Sequence, residues 1–155
     1  MVDLHAHLLP NIDDGSGCIE DSFLMLDDAM VQGVTDIVLT THLNDSYSPT
    51  VCQVKSAFEE FQNKASDKGY NINLYLGQEI YVGNGFEKVF SKKEFLTLNG
   101  TNFVLLEFDY VEEFDIAEQQ LEDGEIINFA WYSIDEVKAL ILNGKCKKIE
   151  VLVFC

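Results

Sequence analysis

Asp36-Ile37-Val38-Leu39-Thr40, followed by Thr41 and His42, is the stretch on which the fold turns. An aliphatic, β-branched run with no polar alternation predicts a strand buried on both faces, as in parallel sheets. Upstream of it, Ile19, Phe23, Leu26, Met30 and Val34 recur at helical spacing. This predicts a helix over 20–32, with Gly33 just past its end. Downstream, Val51, Val54, Phe58, Phe61 and Ala65 predict a second helix ending at Gly69. Val2–Leu4 reads as a short first strand, Ile72–Leu76 as a third, Phe86–Phe90 as a short helix and Asn102–Phe108 as a fourth strand. The order βαβαβαβ predicts an α/β protein with a parallel sheet or barrel and right-handed crossovers.

Composition shifts at Glu122-Asp123-Gly124. Beyond it the pattern predicts a strand over Glu125–Tyr132 and a helix opened by Ser133, with Glu136 completing a capping box. That helix stops at Asn143-Gly144, and a last strand follows at Ile149–Phe154. Two units are therefore expected, 1–121 and a β-α-β tail at 122–155.

The chain has 155 residues, 10 Lys+Arg and 27 Asp+Glu, for a formal charge of −17. All the basic residues are lysines. This balance argues against nucleic-acid and anionic-membrane partners, which need basic surfaces. It suits binding of divalent cations. The four cysteines, Cys18, Cys52, Cys146 and Cys155, show no metal or redox spacing and read as reduced thiols. Asp3, His5 and His7 interrupt any leader-like apolar run, and the apolar stretches are strand-sized. A cytoplasmic protein without membrane insertion is expected.

The chemistry gathers at strand ends. His5 and His7 follow the first strand, and His42, the third and last histidine, follows the second. Glu79 follows the third strand in Gly77-Gln78-Glu79-Ile80, and Glu107 closes the fourth in Leu105-Leu106-Glu107-Phe108. Asp13 and Asp14 lie on the loop after His7. In (β/α) barrels the carboxyl ends of the strands carry the active site. A carboxylate closing a run as apolar as that before Glu107 is costly to bury unless it is paired or bound to metal. Nucleophile-based hydrolysis fits less well: no histidine is left over as a base if all three bind metal, and a Cys-x5-Arg loop is impossible without arginine. There is no phosphate-binding P-loop and no dinucleotide fingerprint. Metal-assisted attack of water is what remains.

Val2-Asp3-Leu4-His5-Ala6-His7-Leu8-Leu9-Pro10 with Ile12-Asp13-Asp14-Gly15 resembles the start of bacterial tyrosine phosphatases from capsule and exopolysaccharide loci. These belong to the PHP (polymerase and histidinol phosphatase) superfamily. Thr40-Thr41-His42, Gly77-Gln78-Glu79-Ile80, Phe95-Leu96-Thr97-Leu98-Asn99-Gly100 and Leu105-Leu106-Glu107-Phe108 match the same family in order and spacing. The resemblance covers about residues 1–121 and implies the first half of a distorted (β/α) barrel. It implies up to three metal ions, usually manganese, with iron, zinc and cobalt as other candidates. His5, His7 and Glu79 would hold one ion and Asp14 and His42 a second, with Glu79 bridging and Glu107 serving the third. It places Asp14, His42 and Glu79 at the reacting centre. The implied substrate is phosphotyrosine on the autophosphorylating tyrosine kinase that controls polysaccharide export.

The chain departs from that pattern. The family has further ligands downstream, a histidine and an Asp-x-His, and arginines around the phosphate; here no histidine follows His42 and arginine is absent. A truncated chain is implied, with a homo-oligomer as one way to complete the site. Alternatives are a catalytically inactive metal-binding remnant and a small-molecule phosphoesterase of the same superfamily. Residues 123–145, from Gly124-Glu125-Ile126-Ile127 to Ser133-Ile134-Asp135-Glu136-Val137, resemble the closing strand and helix of a Nudix hydrolase, although the Nudix catalytic box is missing. An ordinary β-α-β closure would give the same elements.

Overall fold

A computed structural model describes residues 1–83, 86–107, 132–133 and 151–154. The elements are β1 (Val2–Ala6), α1 (Ile19–Val31), β2 (Asp36–Leu43), α2 (Val51–Asp67), β3 (Asn73–Tyr81), α3 (Phe86–Lys92), a 3-10 turn (Leu98–Gly100), β4 (Phe103–Glu107), β5 (Tyr132–Ser133) and β6 (Val151–Phe154). They form one sheet in the order β1-β2-β3-β4-β6-β5. The first four strands are parallel neighbours, as the alternating pattern predicts. β6 adds antiparallel to β4, and β5 pairs parallel with β6. The predicted tail helix, and most of the strand expected before it, lie outside the described residues.

Alternation along the strands sorts side chains between two faces. On β2, Ile37 and Leu39 join Phe23 and Leu26 of α1 and Val54, Phe61 and Ala65 of α2 in one buried cluster. Val38 points the other way and packs with Leu98 and Leu105. The helices therefore cover one face, and the opposite face continues up the strands to the histidines and glutamates. Phe23 ties the helix layer together, stacked on Tyr70 at 5.4 Å and on Phe61 at 6.0 Å. α2 begins with a capping box in which Thr50 and Gln53 satisfy each other's backbone N–H.

The strands run further than sequence pattern predicts. β1 extends through His5, β2 through His42, and β3 through the whole of Gly77-Gln78-Glu79-Ile80. These residues sit inside the carboxyl ends of their strands rather than just after them. The cause is the parallel ladder, which continues through Thr41↔Gln78, His42↔Glu79 and Leu43↔Ile80. Alternation also persists beneath the polar letters: Gln78 faces the helices and accepts from Leu96 N at 2.9 Å. Gly77 is required by close approach, since a Cβ there would lie 2.6 Å from Leu98 Cδ2. The 3-10 turn at Leu98–Gly100, which has no periodic signal, packs over that position.

Candidate metal centre

Four adjacent strands each deliver one side chain to the same end of the sheet: His5 from β1, His42 from β2, Glu79 from β3 and Glu107 from β4. His42 and Glu79 are direct register partners, and Glu107 is partnered with Tyr81. His7 and Asp14 come from the loop after β1. That loop is pinned from below by Leu8 and Leu9, both buried in the helix-side core. It folds back on itself through Ser16 N to His7 O at 3.1 Å and Asn11 N to Ser16 O at 2.9 Å. Gly15 permits the fold-back, because a Cβ there would lie 2.3 Å from His7 Cβ. The β1 ladder shifts register between Asp3 and Ala6, and the Thr40 hydroxyl accepts the Ala6 N–H at 3.1 Å.

Glu79 is the centre of the arrangement, 3% exposed. Its Oε1 lies 3.4 Å from His5 Nε2, and its Oε2 lies 3.4 Å from His7 Nε2 and 3.0 Å from His42 Nδ1. His5 Nε2 and His7 Nε2 approach to 2.9 Å. His42 Nδ1 is also 3.5 Å from Glu107 Oε2, and His42 Nε2 is 3.4 Å from Asp14 Oδ1. Three sets of donor atoms are each compact enough to share one ion: His5 with His7 and Glu79; His7 with Asp14 and His42; and His42 with Glu79 and Glu107. All six sequence-predicted site residues are thus brought together, with His7 also belonging to the second set.

Asp13 has a different place from its neighbour. Its side chain is fully buried behind His7, and Oδ2 meets His7 Nδ1 at 2.8 Å. The same carboxylate accepts His42 N at 2.9 Å and Gly15 N at 3.1 Å. A carboxylate on Nδ1 favours the proton there and leaves Nε2 free to give its lone pair to a cation. Asp13 therefore orients the set rather than joining it. Asp13 meets the His42 backbone, whereas Asp14, on the exposed side of the doublet, approaches the His42 ring.

The electrostatics fit the same picture. Burial works against Glu79 ionising, but the close imidazoles of His42, His5 and His7 outweigh it and hold the carboxyl far below the usual range. Burial likewise opposes charge on His7, yet Asp13 and Glu79 push it up to about 10. Glu79 raises His42 despite the burial of that ring. Asp13 is depressed: burial opposes its charge, and the His7 and backbone hydrogen bonds prevail. Without a metal, then, carboxylates attract protons onto the imidazoles.

His42 provides the sharper test of fit. Its Nδ1 is buried and makes no directed hydrogen bond, although Glu79 Oε2 is only 3.0 Å away. The acceptor lies off the N–H axis, as expected when nitrogen and oxygen converge on a point between them rather than on each other. Imidazole nitrogens and carboxylate oxygens together suit a divalent transition metal.

The sequence profile of the capsular polysaccharide synthesis family CpsB/CapC matches residues 1–134. The chain belongs to that family. It is 37% identical over 109 residues to CapC of Staphylococcus aureus, covering 70% of this chain and 43% of that protein. The tyrosine-protein phosphatase YwqE of Bacillus subtilis (strain 168) is 32% identical over 124 residues, 79% of this chain and 49% of YwqE. Among solved structures, a chain from the crystal structures of YwqE and of Streptococcus pneumoniae CpsB matches with a TM-score of 0.65 at 32% identity. Those two proteins are described as unique metal-dependent tyrosine phosphatases, and the match covers 71% of this chain and 45% of the solved one. This CpsB/CapC chain thus spans about half the length of the relatives it matches. Its four parallel strands correspond to a curled half-barrel.

Proposed function

We propose that this CpsB/CapC chain carries the metal-binding half of a protein-tyrosine phosphatase acting in capsule or exopolysaccharide regulation. His5, His7, Asp14, His42, Glu79 and Glu107 hold divalent ions, manganese first among them, with iron, zinc and cobalt accepted by the same donors. The observation that carries this reading is the buried Glu79 carboxylate met by three imidazole nitrogens, one of them His42 Nδ1 without a directed hydrogen bond.

A divalent metal held by these residues would supply Lewis acidity for phosphoryl oxygens and a lowered pKa for water. The chain's own residues do the rest. Glu79 sits between the imidazoles and sets their spacing. Asp13 holds the His7 ring so that Nε2 faces Glu79. Asp14, 59% exposed, stands at the rim beside His42, where an incoming ester would arrive. Glu107 closes the β4 side. The substrate is a phosphotyrosine protein, an autophosphorylating tyrosine kinase in this setting. The free thiols Cys18 and Cys52 suit a cytoplasmic location, and among the described residues no helix is long and apolar enough to cross a membrane.

A second reading, metal binding without turnover, is favoured by two features of the 155-residue sequence: no histidine follows His42, and arginine is absent. Hydrolysis of a phosphotyrosine peptide by the purified chain, with Mn²⁺ and with chelator beside a His5→Ala control, separates the two. Metal-dependent turnover lost in the variant supports the phosphatase. A folded, metal-loaded chain with no turnover above the variant supports the binding-only reading.

A further inference from the structure

The loop between β2 and α2 presents an aromatic ring beside the metal centre that no ligand role accounts for. Tyr47 lies against His42, with ring centroids 6.1 Å apart and planes within 15° of parallel. Its backbone is fixed: the Asn44 side-chain oxygen accepts Ser46 N at 2.9 Å and Tyr47 N at 2.7 Å, and Asn44 N donates to Tyr47 O at 2.8 Å. After Ser48 come Pro49 and the helix cap Thr50, so the loop is constrained on both sides. The ring is half-buried, and its hydroxyl makes no hydrogen bond among the described residues.

We propose that Tyr47 is a specificity-determining residue that stacks on the leaving-group ring of an aryl phosphate ester. The inference rests on the phosphatase reading above, in which His42 and Asp14 lie where the phosphoryl group binds. A phosphoryl group held there places its ester substituent within reach of the rim, and Tyr47 supplies an aromatic wall at that rim. The phosphoryl group is common to every phosphate ester, so selectivity between esters comes from contact with the substituent. A phenyl ring offers Tyr47 an offset-stacked or edge-to-face partner; the short alkyl side chain of phosphoserine does not.

The test is binding of phenylphosphonate and methylphosphonate, neither hydrolysable, to the Mn²⁺-loaded full chain by titration calorimetry. Wild type, Tyr47→Phe, Tyr47→Leu and Tyr47→Ala are compared at matched Mn²⁺ occupancy. Wild type and Tyr47→Phe should prefer the phenyl ligand by roughly threefold to tenfold. Tyr47→Leu and Tyr47→Ala should lose that preference while methylphosphonate binds as before. A preference that survives in Tyr47→Leu, or an equal fall for both ligands, overturns the assignment. Failure of the metal-loaded wild type to bind either phosphonate overturns the phosphatase reading itself, and the role of Tyr47 with it.

Discussion

His42 on β2 and Glu79 on β3 are register partners in the parallel ladder, and their side chains meet at 3.0 Å on the face opposite the helices. Sheet pairing itself thus sets the distance between the two side chains at the middle of the site. Strand register is costly to slip where one face is buried, and here Ile37, Leu39, Leu74 and Ile80 bury it.

Asp13→Asn should separate orientation from ligation. It removes the charge on His7 Nδ1 while leaving all six proposed ligands in place. Mn²⁺ affinity is expected to fall about 10- to 100-fold, with far-UV circular dichroism unchanged. Affinity within about twofold of wild type would mean that His7 does not depend on Asp13.

Gly77→Ala places a methyl group against Leu98 Cδ2. The expected cost is about 1–3 kcal/mol in urea unfolding. Leu98→Ala should recover part of it in the double variant, because the two sites share one contact. Strict additivity would show that the clash is relieved elsewhere.

Thr50→Ala removes the cap of α2. A loss of about 0.5–2 kcal/mol is expected, and Mn²⁺ binding should be retained, since the cap lies on the helix layer rather than among the ligands. A change below about 0.2 kcal/mol would deny the cap its role.

Much of this was legible in the sequence. Periodicity of three and four marked α1 and α2, and the aliphatic runs marked β2 and β4, because burial on one face or both leaves a spacing that composition cannot hide. The positions of His5, His42, Glu79 and Glu107 then followed from chain order. The extent of β3 did not, since Gly77-Gln78-Glu79 looks like loop until its ladder partner on β2 is known. The difference between Asp13 and Asp14 came only from the family resemblance, not from any local pattern. Adjacent identical letters diverge because Leu8 and Leu9 anchor the loop and Gly15 lets it fold back on His7, which no local pattern announces.

In the metal-free chain, pH dependence has a definite sign. His7 is raised from 6.5 to about 10, so its contribution to stability is complete below its unfolded value and is lost as pH rises toward that figure. Glu79 is depressed below 4.5, so its contribution is complete above that value and lost as pH falls below it. With chelator, the melting temperature should peak between those limits, at about pH 4.5–6.5. Mn²⁺ competes with protons for imidazole, so its stabilising effect should grow as pH rises toward about 10, the value of His7 in the metal-free chain. An effect independent of pH would argue against histidine ligation.

The central claim is that these side chains hold a divalent metal around Glu79. It is tested most directly by titrating Mn²⁺ into the chelator-stripped chain and following the loss of the free-ion paramagnetic resonance signal, for wild type and Glu79→Gln. Saturable binding by wild type, largely abolished in a folded Glu79→Gln, is the predicted result. A folded wild type that leaves the free-ion signal unchanged, or a Glu79→Gln variant that binds as well as wild type, would contradict it.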